Sequence, residues 1–269
     1  MPRPPNDVES TATARVPAGS LLVNWIGQAG FVLKTPDNSI LCIDPYLSNS
    51  VERLSGPAAR RLWWPSFAFE RFKVDAVVCT HDHIDHTDTD TIPLITAYNP
   101  CVRYYGPPSV AAHIAKMGVE GGRITTMEKG VKHSLGEIAF RAVYAKHTKD
   151  SIGLILDAAR MRIYLTGDTE YCQEIFENKR ESPGVLITCI NGIYGNLNPE
   201  QACELAVKLG VRAVIPMHYG LLPNNTVDPA VFAKLCEAAH VPCHVLTQEK
   251  SYLMARNAGG GVSVRLGTD

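Results

Sequence analysis

The chain has 269 residues, 26 basic and 27 acidic side chains for a net charge of −1, and hydrophobic residues at 45%. That is the profile of an ordinary globular protein with room for a sizeable core, and its balanced charge removes the electrostatic ground for a nucleic-acid or membrane-surface partner. No stretch approaches the roughly 18 apolar residues of a transmembrane helix, so no membrane span is expected.

Residues 1–18 lack the charged-then-apolar pattern of a signal peptide. Their Pro, Thr, Ser and Ala content predicts a frayed tail ahead of a single domain over 19–269. A cytoplasmic location follows as the expectation, with the eight cysteines reduced. Cys42, Cys79 and Cys189 lie in apolar runs, where a thiol behaves as a small hydrophobe.

Along the chain, β-branched runs predict strands at 21–25, 31–33 and 40–43, separated by Gly and Pro-Asp-Asn turns. An irregular stretch, 52–73, carries Arg60, Arg61, Trp63 and Trp64. A buried strand over 74–79 then runs into a His-rich segment, and helical patterns follow at 91–98 and 108–117. The second half predicts strands at 138–143, 152–156, 162–165 and 185–189. A helix over 199–209 begins with Pro and has Gly210 just past its end. A strand at 213–216, a helix at 229–239 and a short pair near His244 and Tyr252 complete the chain. One domain with two strand-and-helix halves, an α+β sheet-on-sheet sandwich covered by helices, accommodates this order.

The densest chemistry is the segment His81-Asp82-His83-Ile84-Asp85-His86. Imidazole and carboxylate are donors for zinc, iron or manganese, and a loop leaving a strand turns such side chains toward one point. The plain alternative is a solvated His/Asp turn. One loop cannot close a two-metal site, but His147, Asp168 and His218 each stand at or just beyond the end of an apolar strand. His113, His133, His240 and His244 belong to no such cluster and read as surface or core residues.

The order His-x-His-x-Asp-His, then a later His, Asp and His, resembles the metallo-β-lactamase superfamily over nearly the whole chain. Within it, Ile43-Asp-Pro-Tyr-Leu, Asn191-Gly-Ile-Tyr-Gly-Asn-Leu, Ile215-Pro-Met-His-Tyr-Gly and Asn224-Asn-Thr-Val-Asp-Pro are similar to the L-ascorbate-6-phosphate lactonase-like branch. The resemblance implies an αββα four-layer sandwich and two divalent metal ions, zinc or manganese with iron also admitted. Carried over, His81, His83 and His147 would hold the first ion and Asp85, His86 and His218 the second. Asp168 would bridge both, and Asp44 would orient the His-rich loop. Asp85 and Asp168 are then the catalytic carboxylates.

The expected activity is water attack on an ester, first a lactone such as that of a phosphorylated sugar acid, with a small molecule as the partner. A phosphodiesterase of nuclease or phospholipase type is the alternative, and a non-catalytic scaffold stands behind it. Asn191, Tyr194, Asn196, Tyr219 and Asn225 are candidate substrate contacts or, equally, turn-satisfying groups. Arg60 and Arg61 are a candidate phosphate clamp or a solvated basic pair. Nothing in the sequence decides for or against a homo-oligomer.

Overall fold

The structure, a computed structural model, describes residues 7–248 and 250–267. Its first half contains β1 (Ser20–Gly27), β2 (Gly30–Lys34), β3 (Ile40–Ile43), β4 (Ala76–Val78), β5 (Arg103–Gly106) and β6 (Ile124–Thr126). The second contains β7 (Lys132–Leu135), β8 (Ile138–Tyr144), β9 (Ile152–Ala158), β10 (Met161–Leu165), β11 (Val185–Cys189) and β12 (Ala213–Met217), and then β13 (Ser251–Arg256) and β14 (Val262–Leu266). One sheet runs β14-β13-β1-β2-β3-β4-β5-β6 and the other β12-β11-β10-β9-β8-β7. The C-terminal hairpin thus returns to the first sheet, so the two sheets are not simply the two halves of the chain.

Both faces of the first sheet are covered, which explains why its strands β3 and β4 are apolar at every position. Phe31, Leu33, Leu41, Ile43, Ala76 and Val78 point into the core between the sheets. Their neighbours Val32, Ile40, Cys42 and Val77 point outward, under a second apolar cluster. The helices on that side are α1 (Asp7–Ser10), α3 (Thr91–Tyr98) and α4 (Pro108–Lys116); Val8, Ile92, Ile95, Val110 and Ile114 fill the cluster, while α2 (Ser50–Ser55) packs through Val51 on a small separate cluster of Tyr46, Leu221 and Leu222. Beyond α5 (Gln173–Phe176), α6 (Pro199–Leu209) and α7 (Pro229–Ala238) cover the second sheet through Ala202, Leu205 and Phe232. The result is the expected four-layer αββα sandwich.

The predicted boundaries of the long helices hold because their ends carry local chemistry. In α6 the Asn198 side chain accepts from the Gln201 backbone N–H, Gln201 returns the bond to Asn198, and Gly210 closes the helix at φ 70°. Four strands had no predicted range, among them β14, which pairs with β13 at the sheet's edge. β5 is short and opens on Arg103, β6 spans three residues, and β7 is an edge strand of alternating exposure. Conversely, no strand forms at His244; the chain there makes a single bridge, Val214 to Cys243.

The tail reading requires correction. Residues 1–6 lie outside the described residues, but 7–18 are docked on the outer face of the first sheet, with Val8, Thr11 and Val16 buried. Lys34, itself buried, donates from Nζ to the carbonyls of Thr11, Ala12 and Ala14 at 2.8–2.9 Å. A polar-looking segment is thereby held by an ammonium whose partners are backbone atoms, invisible to a reading of side-chain composition.

Candidate metal centre

Strand direction gathers the site. β3 and β4 are parallel, as are β10, β11 and β12. β8 is related to β10 through two antiparallel pairings, so it runs the same way. The C-terminal ends of β3, β4, β8, β10 and β12 therefore open at one edge, and from them issue Asp44, the His81–His86 loop, His147, Asp168 and His218. β1 matches β3 through two antiparallel pairings and adds the turn Gly27–Gly30.

The His-rich loop is built from its own backbone outward. The N–H groups of His86 and Thr87 both donate to the His83 carbonyl, at 3.0 and 2.8 Å, folding the segment into a tight turn. Asp44, buried and at φ 44°, accepts from the Thr80 N–H and hydroxyl, both at 2.7 Å, and from His86 Nδ1 at 2.8 Å. A carboxylate only accepts, so His86 carries its proton on Nδ1 and presents the Nε2 lone pair to the site. Thr80 has given its single proton to Asp44, so His81 Nδ1 is the donor in its 3.2 Å contact with Thr80 Oγ1. His147 Nδ1 donates to the Gly195 carbonyl at 3.2 Å. Three imidazoles thus turn Nε2 inward by the same device.

Three groups of donors converge within 4.8 Å: His81 with His83 and His147; His81 with His86 and Asp168; Asp85 with His86 and His218. His83 Nδ1 lies 3.0 Å from His81 Nε2 and 3.2 Å from His147 Nε2. Nitrogens that hold one zinc ion at 2.0–2.1 Å in tetrahedral fashion stand roughly 3.3 Å apart, so the spacing fits. Asp168 reaches toward His218 Nε2 at 3.2 Å, His86 Nε2 at 3.5 Å and His147 Nε2 at 3.6 Å. Asp85 lies 3.6 Å from His218 Nε2.

Among the described residues, the buried Nε2 atoms of His86 and His218 and Oδ1 of Asp168 have no hydrogen-bond partner. Buried polar atoms left unmatched cost about 1–3 kcal/mol each, so inward-facing lone pairs and carboxylate oxygens fit a cation at this point. The donor set is nitrogen and oxygen alone, which suits zinc, manganese or iron.

The site's own charges are mutually sustained. Burial opposes a charged His218, yet Asp168 and Asp85 outweigh it and raise the imidazole to about 9. His86 is also raised, against burial, by Asp168, Asp44 and Asp85. Burial would raise both carboxyls, but His86 and His218 hold Asp85 low and His218 and His86 hold Asp168 low. Burial, reinforced by His86, pushes His81 down, as burial does His147. A metal bound at this point would supply positive charge facing the carboxylates of Asp85 and Asp168.

One residue at the centre was not singled out from sequence. Gln28 sits at φ 47° in the β1–β2 turn, is buried, and donates from Nε2 to Asp85 Oδ2 at 3.2 Å. Its carbonyl accepts from the His218 backbone N–H at 2.9 Å. Gly30 permits the turn to press against the site, since a Cβ there would stand 2.7 Å from Ile26 Cγ1 and 3.1 Å from the Asp44 carbonyl. The signal available was a Gly-Gln-Ala-Gly turn between two apolar strands. Asp88 was likewise passed over; its buried carboxylate accepts from Ser48 and Thr91 and ties the segment after β3 to the start of α3.

The candidate substrate contacts divide. A cleft of about 480 Å³ opens beside the donors, with His83 and Asp85 on its floor and Tyr194 and Asn225 on its wall. Asn191 donates to Asn225 Oδ1 at 2.6 Å and so braces that wall. Asn196 donates to Asp168 Oδ2 at 2.8 Å, orienting a donor instead of facing the cleft. Tyr219 is buried against Trp25, ring centroids 4.6 Å apart, with its hydroxyl on the Leu246 carbonyl; the substrate role expected for it is withdrawn.

The arginine pair is corrected too. Arg60 is exposed and paired with Glu52 at 3.0 Å. Arg61 is buried, donates to the carbonyls of Tyr46, Ser48 and Trp63, and lies under the Tyr46 ring at 4.7 Å. It braces the 46–64 segment and neither binds phosphate in the cleft nor sits in solvent. Burial lowers its guanidinium to about 10, still far above neutrality. His113 lines the cleft without joining a donor group.

Comparison with known proteins agrees with this geometry. The family profile described as a beta-lactamase superfamily domain matches residues 40–219. A UPF0173 metal-dependent hydrolase of Koribacter versatilis is 27% identical over 235 residues, covering 82% of this chain and 94% of its own. A UPF0173 protein of Pyrococcus abyssi is 29% identical, over 76% of this chain and 86% of its own. Igni18, a metallo hydrolase of Ignicoccus hospitalis, superposes with a TM-score of 0.70 at 21% identity, covering 87% and 98% of the two chains.

Proposed function

The chain belongs to the metallo-β-lactamase superfamily, and from that premise we propose that it is a metal-dependent hydrolase acting on an ester, with a lactone as the first choice. The observation that carries the reading is the convergence of unmatched buried donors, His86 Nε2, His218 Nε2 and Asp168 Oδ1, beside an open cleft. His81, His83 and His147 would hold one divalent ion, zinc or manganese with iron admissible, and Asp85, His86 and His218 a second, with Asp168 between them. When bound, such ions supply an activated water and positive charge for the oxygen that develops in the transition state.

The remaining work belongs to the chain. Asp44 fixes the ring of His86 and the proton on its Nδ1; Gln28 and Asn196 each hold Oδ2 of Asp85 and Asp168, the same oxygen that faces His218. His83, the exposed member of the donor set, marks where substrate enters. The lactone choice rests on the branch resemblance of the 43–47, 191–197 and 215–220 segments. A phosphodiesterase is disfavoured because no Lys or Arg stands among the residues lining the cleft.

The test is elemental analysis of protein reconstituted with zinc or manganese, followed by paired lactone and phosphodiester panels. Close to two metals per chain and lactone turnover are expected. Turnover of phosphodiesters alone would overturn the ester choice, and a metal-free protein after reconstitution would favour a scaffold.

A further inference from the structure

The cleft's walls differ in character from its floor. Val51, Leu54, Ala59 and Leu222 form an apolar side contributed by α2, the turn after it and the loop after β12. Leu54, 73% exposed, supplies most of the accessible apolar surface on this side, Ala59 and Leu222 being buried beneath it. The polar groups that also line it are the amides of Asn224 and Asn225 and the Tyr194 hydroxyl. The ionisable side chains nearby are His83, His113 and the carboxylates Asp82 and Asp85.

A metal ion held at the floor would serve the reacting oxygen with its charge. A second, remote anion on the substrate would instead meet apolar carbon or a carboxylate. Arg60 and Arg61, the cations nearest in sequence, are paired with Glu52 and with backbone carbonyls. A volume of about 480 Å³ suits a small molecule and not a polymer strand.

We propose that the substrate is an uncharged ester or lactone whose remote part is an alkyl or aryl group seated against Val51, Leu54, Ala59 and Leu222, and not a phosphorylated or carboxylated sugar. This deepens, and rests on, the hydrolase reading above. Hydrolysis would add water across the acyl C–O bond, giving a carboxylate and an alcohol with no change of oxidation state.

The experiment takes metal-reconstituted full chain and two series: γ-lactones of increasing alkyl length, and the same lactones ending in a carboxylate. For the neutral series, kcat/KM is expected to rise about three- to fourfold per methylene until the cleft is filled. The carboxylate series is expected to fall at least tenfold below its neutral partners. Leu54→Lys, a surface change tolerated by the fold, should cut the long-to-short ratio of kcat/KM about tenfold and narrow the gap between the two series.

A flat dependence on chain length, or preference for the carboxylate series, overturns the proposal while leaving the hydrolase reading intact. Should neither series turn over, displacement of Nile red, a neutral apolar dye, decides separately. Displacement that tightens with alkyl length and weakens in Leu54→Lys upholds the apolar cleft and rejects lactone hydrolysis; no displacement rejects the cleft as well.

Discussion

The sandwich has a concavity at each end of its strands, and the larger one is not where the chemistry lies. At the end where β10 and β12 begin, a groove of about 580 Å³ is lined by Arg160, Arg162, Arg212 and Arg256 together with Glu137 and Asp157. Its charges are open to water and answered locally. Arg162 pairs with Asp157 at 2.6 Å, and Arg212 donates to the Gly260 carbonyl at 2.6 Å. Exposed pairs of that kind contribute about 0–1 kcal/mol apiece. At the opposite end the charges are fewer, buried and incompletely matched. Several unpartnered buried groups converging on one point, and not the size of a hollow, distinguish a place built to receive something.

Substitutions can break that contrast. The largest effect is expected at Asp168→Ala, which removes the carboxylate placed between the two ions, and at His218→Ala, which removes a donor to the second. Turnover should fall at least about a thousandfold and bound metal should drop well below two per chain, read by steady-state rates and elemental analysis. Full activity in either variant would remove the site from contention. Asp44→Ala comes next. It strips the Thr80 N–H, the Thr80 hydroxyl and His86 Nδ1 of their shared acceptor. Metal affinity should fall about 10- to 100-fold and stability by about 3 kcal/mol, measured by competition with a chelator and by denaturant titration.

Two neighbouring arginines sharpen the same lesson about burial. Arg61→Ala should cost about 2–4 kcal/mol, because three carbonyls and the Tyr46 ring lose one partner. Arg60→Ala should stay within about 0.5 kcal/mol, its pair with Glu52 being exposed. Equal effects would mean that the 46–64 segment is not braced as described. Gln28→Ala should lower kcat about tenfold with metal content unchanged, since only the hydrogen bond that aims Asp85 is lost. At the far end, Arg162→Ala should leave turnover within about twofold; a larger loss would show that the two ends communicate.

The two ends of the chain's legibility follow from the same physics. Donor identity was readable because imidazoles and carboxylates at the mouths of apolar strands have few other reasons to cluster, as at His81–His86. The helix 199–209 was readable because capping and periodicity act within a few residues. Strands β5 and β7 were not, since four residues bounded by Arg103 or interleaved with exposed Lys132 and Ser134 carry little local pattern.

What the sequence by itself determined was the kind of chemistry present, the αββα layering and the strand ends from which the donors issue. Only the tertiary structure decided which polar residues face that chemistry. Tyr194 reaches the cleft while Tyr219 packs on Trp25; Arg61 turns inward while Arg60 stays in solvent; Gln28 joins the centre and residues 7–18 dock on Lys34. Those outcomes depend on backbone turns at positive φ, as at Gln28, Asp44 and His218, and on carbonyls that any residue can supply. Neither leaves a mark in the identity of the side chains, because both are set by how distant segments pack.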